Sequence, residues 1–144
     1  MAKGYPDFFG YSVFPDYGPA IQEHEAGVTV APATTLALEL TGKGTLHGAR
    51  VTLLAAGGLE NVTLSIQFDS QDTVSENLST QVVRQPFMGT VPWIFQIINY
   101  NLLLDYAAVI VNGGVSFVSN LKMYVGNAAV NTTYVIDLLW SRVL

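Results

Sequence analysis

The stretch Thr34–Asp69, TTLALELTGKGTLHGARVTLLAAGGLENVTLSIQFD, decides the fold class because its apolar residues recur at every second position. Alternation of this kind places the apolar side chains on one face of a β-strand. Gly42-Lys43-Gly44 interrupts the pattern, and glycines supply the positive φ that a tight turn needs. The sequence therefore predicts a β-hairpin over residues 34–55.

A third strand follows the hairpin and shows the cleanest alternation in the chain. Its apolar residues are Val62, Leu64, Ile66 and Phe68. Together the three strands predict an antiparallel sheet with one buried face, which we expect to form the nucleus of the fold.

The apolar residues change parity within the second strand of this hairpin. By this alternation Leu46 belongs to one face of the strand and Val51 to the other, which predicts a β-bulge at Gly48. If Gly48 has a positive φ there, its replacement by valine should destabilise the protein. His47 and Arg50 flank this position. Because neither has a spaced nucleophile or carboxylate, we interpret both as structural rather than catalytic.

The long apolar run Val91–Val111 has two interpretations that periodicity alone does not separate. Two strands meeting near Asn99-Tyr100-Asn101 are favoured, and a single buried helix stays open. A membrane span is disfavoured because the run contains Asp105, and an ionised Asp near mid-bilayer costs about 2.5 to 3.5 kcal/mol.

Further strands are indicated toward the C-terminus. Asn112-Gly113-Gly114 separates two apolar runs and predicts a second hairpin, because Asn-Gly is the preferred pair for such a turn. Alternation from Tyr134 to Arg142 predicts a final strand that ties the C-terminus into a sheet. Short strands at regular spacing with little helical pattern predict an all-β fold, a jelly-roll-like β-sandwich or barrel of about eight to ten antiparallel strands.

The first twenty residues differ from the rest because prolines and glycines alternate with aromatic side chains. The aromatic residues are Tyr5, Phe8, Phe9, Tyr11, Phe14 and Tyr17. We predict an irregular N-terminal arm over residues 1–20 and a single β-domain over residues 21–144. We expect these aromatic side chains to be buried, either against the core of their own domain or against a neighbouring subunit. If they are buried against a neighbouring subunit, they are assembly contacts.

Charge is unusually scarce, since 12% of the 144 residues are charged and 50% are hydrophobic, against about 25% charged in a typical soluble domain. A single folded chain of this composition would expose a large apolar or neutral polar surface to water. We therefore predict that this surface is buried between subunits of an obligate oligomer. Six Lys and Arg against eleven Asp and Glu, with no basic cluster, argue against direct nucleic-acid binding. Cysteine is absent and no secretory signal is visible, so we expect synthesis in a cytoplasm.

No catalytic motif emerges from the sequence, and we expect no enzyme activity, cofactor or metal. In the run Glu23-His24-Glu25 an extended backbone would point His24 away from the two glutamates, so we expect a solvated acidic turn. Asp69 and Asp72 lie in the polar stretch 69–80, read as an exposed loop where solvent leaves carboxyls ordinary. Trp93 and Trp140 lie in apolar runs that favour core packing.

The arm motif Pro-Asp-Phe-Phe-Gly…Phe-Pro-Asp-Tyr-Gly at residues 6–18 is followed by Thr41-Gly42-Lys43-Gly44, by Gly48 and by the strand Asn61–Asp69. This combination resembles small structural proteins of tailed bacteriophages, especially capsid decoration (cement or auxiliary) proteins and head or tail fibre modules. The resemblance implies a homotrimer on the capsid surface, with arms reaching neighbouring subunits and the major capsid protein, which fastens the phage head against DNA pressure.

The expected function is therefore that of a non-enzymatic virion structural protein without membrane contact. Two alternatives stay open. A trimeric receptor-binding or fibre head would use the loops at residues 70–80 and 126–132. A small-ligand-binding β-barrel would use Trp93 and Trp140 to line its cavity.

Overall fold

A computed structural model describes residues 17–71, 73–79, 94–127 and 129–143. These residues form nine strands and one short 3₁₀ helix at Leu59–Asn61. The strands are β1 (Tyr17–Val30), β2 (Ala33–Thr41), β3 (Gly44–Ala55), β4 (Val62–Phe68), β5 (Val74–Asn77), β6 (Phe95–Asn101), β7 (Tyr106–Phe117), β8 (Asn120–Asn127) and β9 (Thr132–Val143).

The strands form two antiparallel sheets. The larger has the order β1-β9-β3-β7-β6 and the smaller the order β2-β8-β4-β5. The strands pair in a nested order: β1 pairs with β9, β2 with β8 and β3 with β7. The innermost pair is β4 with β5. This nested pairing is the jelly-roll winding, with β6 added beside β7. The predicted all-β sandwich is confirmed.

Side chains from the facing surfaces of the two sheets fill the space between them. Phe117 and Trp140 of the larger sheet pack with ring centroids 5.9 Å apart, and Trp140 is 3% exposed. The expected core role of this tryptophan is confirmed, and Trp93 lies outside the described residues. Residues fully buried in this core include Leu46, Val51, Leu53, Val62, Ile66, Leu121 and Ile136. Each such side chain contributes about 1.5 to 3 kcal/mol through its removal from water.

The hairpin predicted over residues 34–55 is wrong, and so is the three-stranded nucleus. β2 pairs with β8 in one sheet, whereas β3 pairs with β7 and β9 in the other. Gly42, with φ of +108°, turns the chain from one sheet to the other, and its N–H donates to the Ser119 carbonyl oxygen at 2.7 Å. β2 and β4 lie on either side of β8. Alternation reports which face of a strand is buried and does not identify the neighbouring strand.

The second predicted hairpin, at Asn112-Gly113-Gly114, is also wrong because β7 runs through it. Leu46 pairs with Val115 and Gly48 with Asn112, so the two glycines form a bulge in β7. Gly114 has φ of +85°. A Cβ on Gly113 would lie 1.7 Å from the His47 carbonyl oxygen. These glycines let two neighbouring strands approach closely and do not reverse the chain.

The predicted bulge at Gly48 is confirmed on the β9 side of β3. Leu46 pairs with Trp140 and Gly48 with Leu139, so β3 has one residue more than its partner there. Gly48 is not among the described glycines with positive φ, which are Gly27, Gly42, Gly57 and Gly114. A large cost of Gly48→Val through positive φ is therefore no longer expected.

The described part of the run Val91–Val111 is β6 and the start of β7, so the two-strand interpretation is right. The strands are joined at residues 102–105, slightly later than expected. None of the described residues form a helix long and apolar enough to cross a membrane. The predicted C-terminal strand is confirmed as β9, which lies between β1 and β3 in the larger sheet.

Two stretches expected to be irregular contain strands. β1 begins at Tyr17, inside the predicted arm, and runs through Glu23-His24-Glu25, so the acidic turn is wrong. The polar stretch 69–80 contains β5, which pairs with β4 at the edge of the smaller sheet. Polar composition suits an edge strand with one solvated face as well as it suits a loop.

Candidate functional site

Most of the predicted assembly contacts lie outside the described residues. These are Tyr5, Phe8, Phe9, Tyr11 and Phe14. Tyr17 is the first residue of β1, and its backbone pairs with Val143. The assembly role of these residues stays a prediction.

Four exposed leucines form a surface that we name the leucine corner: Leu54, Leu102, Leu103 and Leu104. Leu103 is 95% exposed, Leu104 66%, and Leu102 and Leu54 slightly over half. Leu102 to Leu104 occupy the turn between β6 and β7, while Leu54 lies near the end of β3 and pairs with Tyr106 at the start of β7. Leu54 and Leu104 line one shallow depression with Thr29 and Thr133.

Hydrogen bonds fix the conformation of the turn that contains Leu102 to Leu104, which we name the leucine turn. The Asn101 side-chain oxygen accepts from the backbone N–H groups of Leu103, at 3.0 Å, and Leu104, at 3.1 Å. Asp105 adopts φ of +52°, and its carbonyl oxygen accepts from the Ala55 N–H at 2.8 Å. An Asn side chain that closes its own turn in this way is a common device for fixing a short loop. The leucines are thus presented to solvent on an anchored turn.

A row of charged side chains crosses the outer surface of the larger sheet. Asp137 of β9 accepts from His24 of β1 at 2.5 Å and from Arg50 of β3 at 3.3 Å. These hydrogen bonds, that from His24 first, hold the pKa of Asp137 below its ordinary value. His47 bonds through Nε2 to the Ser141 hydroxyl at 2.7 Å. Both His47 and Arg50 therefore link strands of one sheet, which agrees with their structural interpretation.

Glu23 and Glu25 do not join His24 in a common site. β1 is extended, so its successive side chains point to opposite faces, and only His24 meets Asp137. Burial in the core raises the pKa of Tyr134, and the negative charge of Glu25 raises it further. Among the described residues no three His, Asp or Glu side chains are placed to hold a metal ion.

Asp69 is not the ordinary loop carboxyl that the sequence suggested. It follows β4 with φ of +55°, and its carboxylate accepts from the N–H groups of Val118, Ser119 and Asn120 and from the Ser119 hydroxyl. These bonds, led by those from the Ser119 and Val118 N–H groups, lower its pKa to about 2. Asp69 thereby fastens the turn between β7 and β8 to the end of β4. Asp72 lies outside the described residues.

A hydroxyl-lined depression, which we name the polar groove, crosses the outer surface of the smaller sheet. Its volume is about 480 Å³. Its lining residues are Thr34, Asn61, Thr63, Ser65, Thr73, Ser75, Tyr124, Gly126 and Asn127. The structure thus brings together parts of the two stretches considered for recognition, 70–80 and 126–132. Sequence reasoning missed Thr63, Ser65 and Tyr124, whose outward parity on neighbouring strands was the available signal.

No protein-family model matches the chain, and no curated protein matches it significantly. Arguments about function therefore rest on the chain's own surfaces.

Proposed function

We propose that this chain is a non-enzymatic structural protein of a virion, a trimeric capsid decoration protein on the surface of a phage head. It stabilises the head through contacts with copies of itself and with the major capsid protein. The observation that carries the proposal is the leucine corner.

The leucine corner supports assembly because leaving it in water is costly. Fully burying one leucine side chain is favourable by about 1.5 to 3 kcal/mol, and Leu103 is 95% exposed in the isolated chain. Four neighbouring leucines offer several kcal/mol to a partner surface, before the cost of association is subtracted. Because hydrogen bonds already fix the turn, little conformational entropy is lost when the corner is covered.

Two further observations support the same function. The low proportion of charged residues suits a chain whose surface is largely covered by other subunits. β1, which begins inside the predicted arm, pairs within the described residues only with β9 and so forms one edge of the larger sheet. An edge strand has unpaired backbone groups that a neighbouring chain can pair with. The jelly-roll winding adds support by analogy, since capsid domains are one of the classes that use it.

A matched pair of substitutions tests the proposal. Leu103→Ser removes the most exposed leucine of the corner. As the control, Val118→Ser removes another exposed apolar side chain, 68% exposed, from the turn at the other end of β7. Sedimentation velocity should show a trimer for the wild type and for Val118→Ser, and dissociation at micromolar concentration for Leu103→Ser. Unchanged association of Leu103→Ser, with normal circular dichroism, would rule out the leucine corner as the assembly surface.

A further inference from the structure

The polar groove has a regular construction that follows from strand register. Tyr124 of β8 pairs with Ser65 of β4, and Ser65 pairs with Ser75 of β5. One step along, Gly126 pairs with Thr63 on one side and Thr34 on the other. Two rows of small hydroxyl side chains thus lie across the sheet, next to a single aromatic ring.

Gly126 makes the surface concave. It occupies an interior strand between β2 and β4, where a side chain would be expected, and a Cβ there would lie 3.1 Å from Thr34 Oγ1. Glycine inside a strand often marks a bulge, a bend, or a position that a ligand or another backbone approaches closely. Neither neighbouring strand shows a register shift at Gly126. The resulting volume of about 480 Å³ falls within the range of small-molecule sites.

The groove offers hydrogen bonds and no charge among its described lining residues. The hydroxyls of Ser65 and Ser75 bond to each other at 2.7 Å. Asn127 is occupied with Gly58 and Thr132, so it shapes the wall. In the described part of the chain, the side-chain hydroxyls of Thr34, Thr63 and Tyr124 make no hydrogen bond. Those groups can both donate to and accept from a ligand.

We propose that the polar groove binds a neutral oligosaccharide. Such a ligand carries many hydroxyls and no charge, which complements an uncharged lining that can donate and accept. Its flat apolar ring faces can also lie on the ring of Tyr124, which is half-buried in its position on β8. This site is on the opposite sheet from the leucine corner, and binding there does not depend on the proposed assembly.

Other occupants fit the groove less well. An anionic ligand would require Lys or Arg in the lining. Lys122, on the same strand as Tyr124, is instead 3.6 Å from Glu39 in an ion pair. A peptide that extends a sheet does so at an edge, through unpaired backbone groups. The groove instead lies across the face of the sheet, centred on β8 and β4, which are paired on both sides, and its lining from β2 and β5 consists of side chains that point out of that face.

The test is a titration of the full-length protein, labelled with ¹⁵N, with maltohexaose, mannohexaose and chitohexaose in turn. At ligand concentrations up to about 10 mM, dissociation constants near 1 mM are measurable. At least one sugar should give saturable amide shifts centred on Thr63, Ser65, Tyr124 and Gly126. The shifts should persist when the salt concentration is raised, because the lining is uncharged.

Two variants of the polar groove and one control variant test whether the sugar binds at the groove. Tyr124→Ala should weaken binding about tenfold or more, and Thr63→Val, which keeps the side-chain shape, about threefold to tenfold, as expected for loss of one neutral hydrogen bond. Tyr106→Ala removes a tyrosine from the other sheet and should leave the affinity unchanged. Circular dichroism establishes that each variant is folded.

Three results would overturn the proposal. One is the absence of saturable shifts with all three sugars. The second is binding that Tyr124→Ala and Thr63→Val leave unaltered. The third is binding at the groove that disappears when the salt concentration is raised, which would mean that charge and not hydroxyl groups holds the ligand.

Discussion

Replacing Gly113 with alanine should be among the most damaging single changes in this protein. The new Cβ would lie 1.7 Å from the carbonyl oxygen of His47 and 2.1 Å from its carbonyl carbon, whereas real Cβ contacts below 3.0 Å are essentially never found. Both atoms belong to the β3 backbone and cannot rotate away. β3 and β7 must therefore separate locally, in the middle of a sheet whose strands lie about 4.8 Å apart.

The expected cost of Gly113→Ala is about 3 to 5 kcal/mol. Separating the strands breaks two or more ladder hydrogen bonds, each worth about 0.5 to 1.5 kcal/mol, and disturbs the packing beneath them. That cost is a large fraction of a typical domain stability of about 5 to 15 kcal/mol. Thermal denaturation followed by circular dichroism should show a melting temperature lowered by about 10 °C or more.

Two neighbouring glycines provide the controls. A Cβ on Gly48 would meet only the Val111 carbonyl oxygen at 3.8 Å, so Gly48→Ala should change stability by less than about 0.5 kcal/mol. A Cβ on Gly114 has open space but a left-handed backbone, so Gly114→Ala should cost about 1 to 2 kcal/mol. Equal melting temperatures for Gly113→Ala and Gly48→Ala would refute the close approach of β3 and β7.

Asp69→Asn should destabilise the protein at neutral pH, and the difference from wild type should shrink as the pH falls from about 4 toward 2. Because the pKa of Asp69 is lowered to about 2 in the folded protein, its carboxylate stabilises the fold at pH values above the pKa of the unfolded state. This stabilisation is lost as the carboxylate is protonated. Urea denaturation at several pH values measures the difference in stability between the two proteins. A constant difference across that range would contradict the role of the charge. Deletion of residues 1–16 retains all of β1, so we expect a folded β-domain whose trimer contacts are weakened. If the shortened protein is unfolded, the arm is part of the core of its own domain and not an assembly contact. Leu121→Ala, on an interior strand of the smaller sheet, should cost about 2 to 5 kcal/mol. A loss under about 1 kcal/mol by urea denaturation would contradict the full burial of Leu121.

Strand content and buried faces could be predicted because alternation is a local property of the chain. The alternation of β4 and β9 and the change of parity at Gly48 are all found in the structure. Strand partners could not be predicted. Gly42-Lys43-Gly44 is compatible with a hairpin and with a connection between sheets, and only contacts distant in sequence, such as that of Gly42 with Ser119, separate the two.

The surface features depended even more on distant contacts. Asp69 acquires its role because the turn between β7 and β8 lies beside it, some 50 residues later in the chain. The polar groove combines residues of four strands whose order in the sheet differs from their order in the sequence. The leucine turn was visible as an apolar run, but its exposure follows from the position of the β6–β7 connection. Sequence patterns thus predicted the faces of strands and not the sites built between them.

The native mass of the full-length protein at micromolar concentration, measured by sedimentation equilibrium, tests the proposed assembly most directly. The leucine corner and the scarcity of charge predict an oligomer that is stable on dilution. The proposed function as a decoration protein predicts that this oligomer is a single species of three times the chain mass. A well-behaved monomer under these conditions would contradict the proposal that this chain is built to be covered by copies of itself.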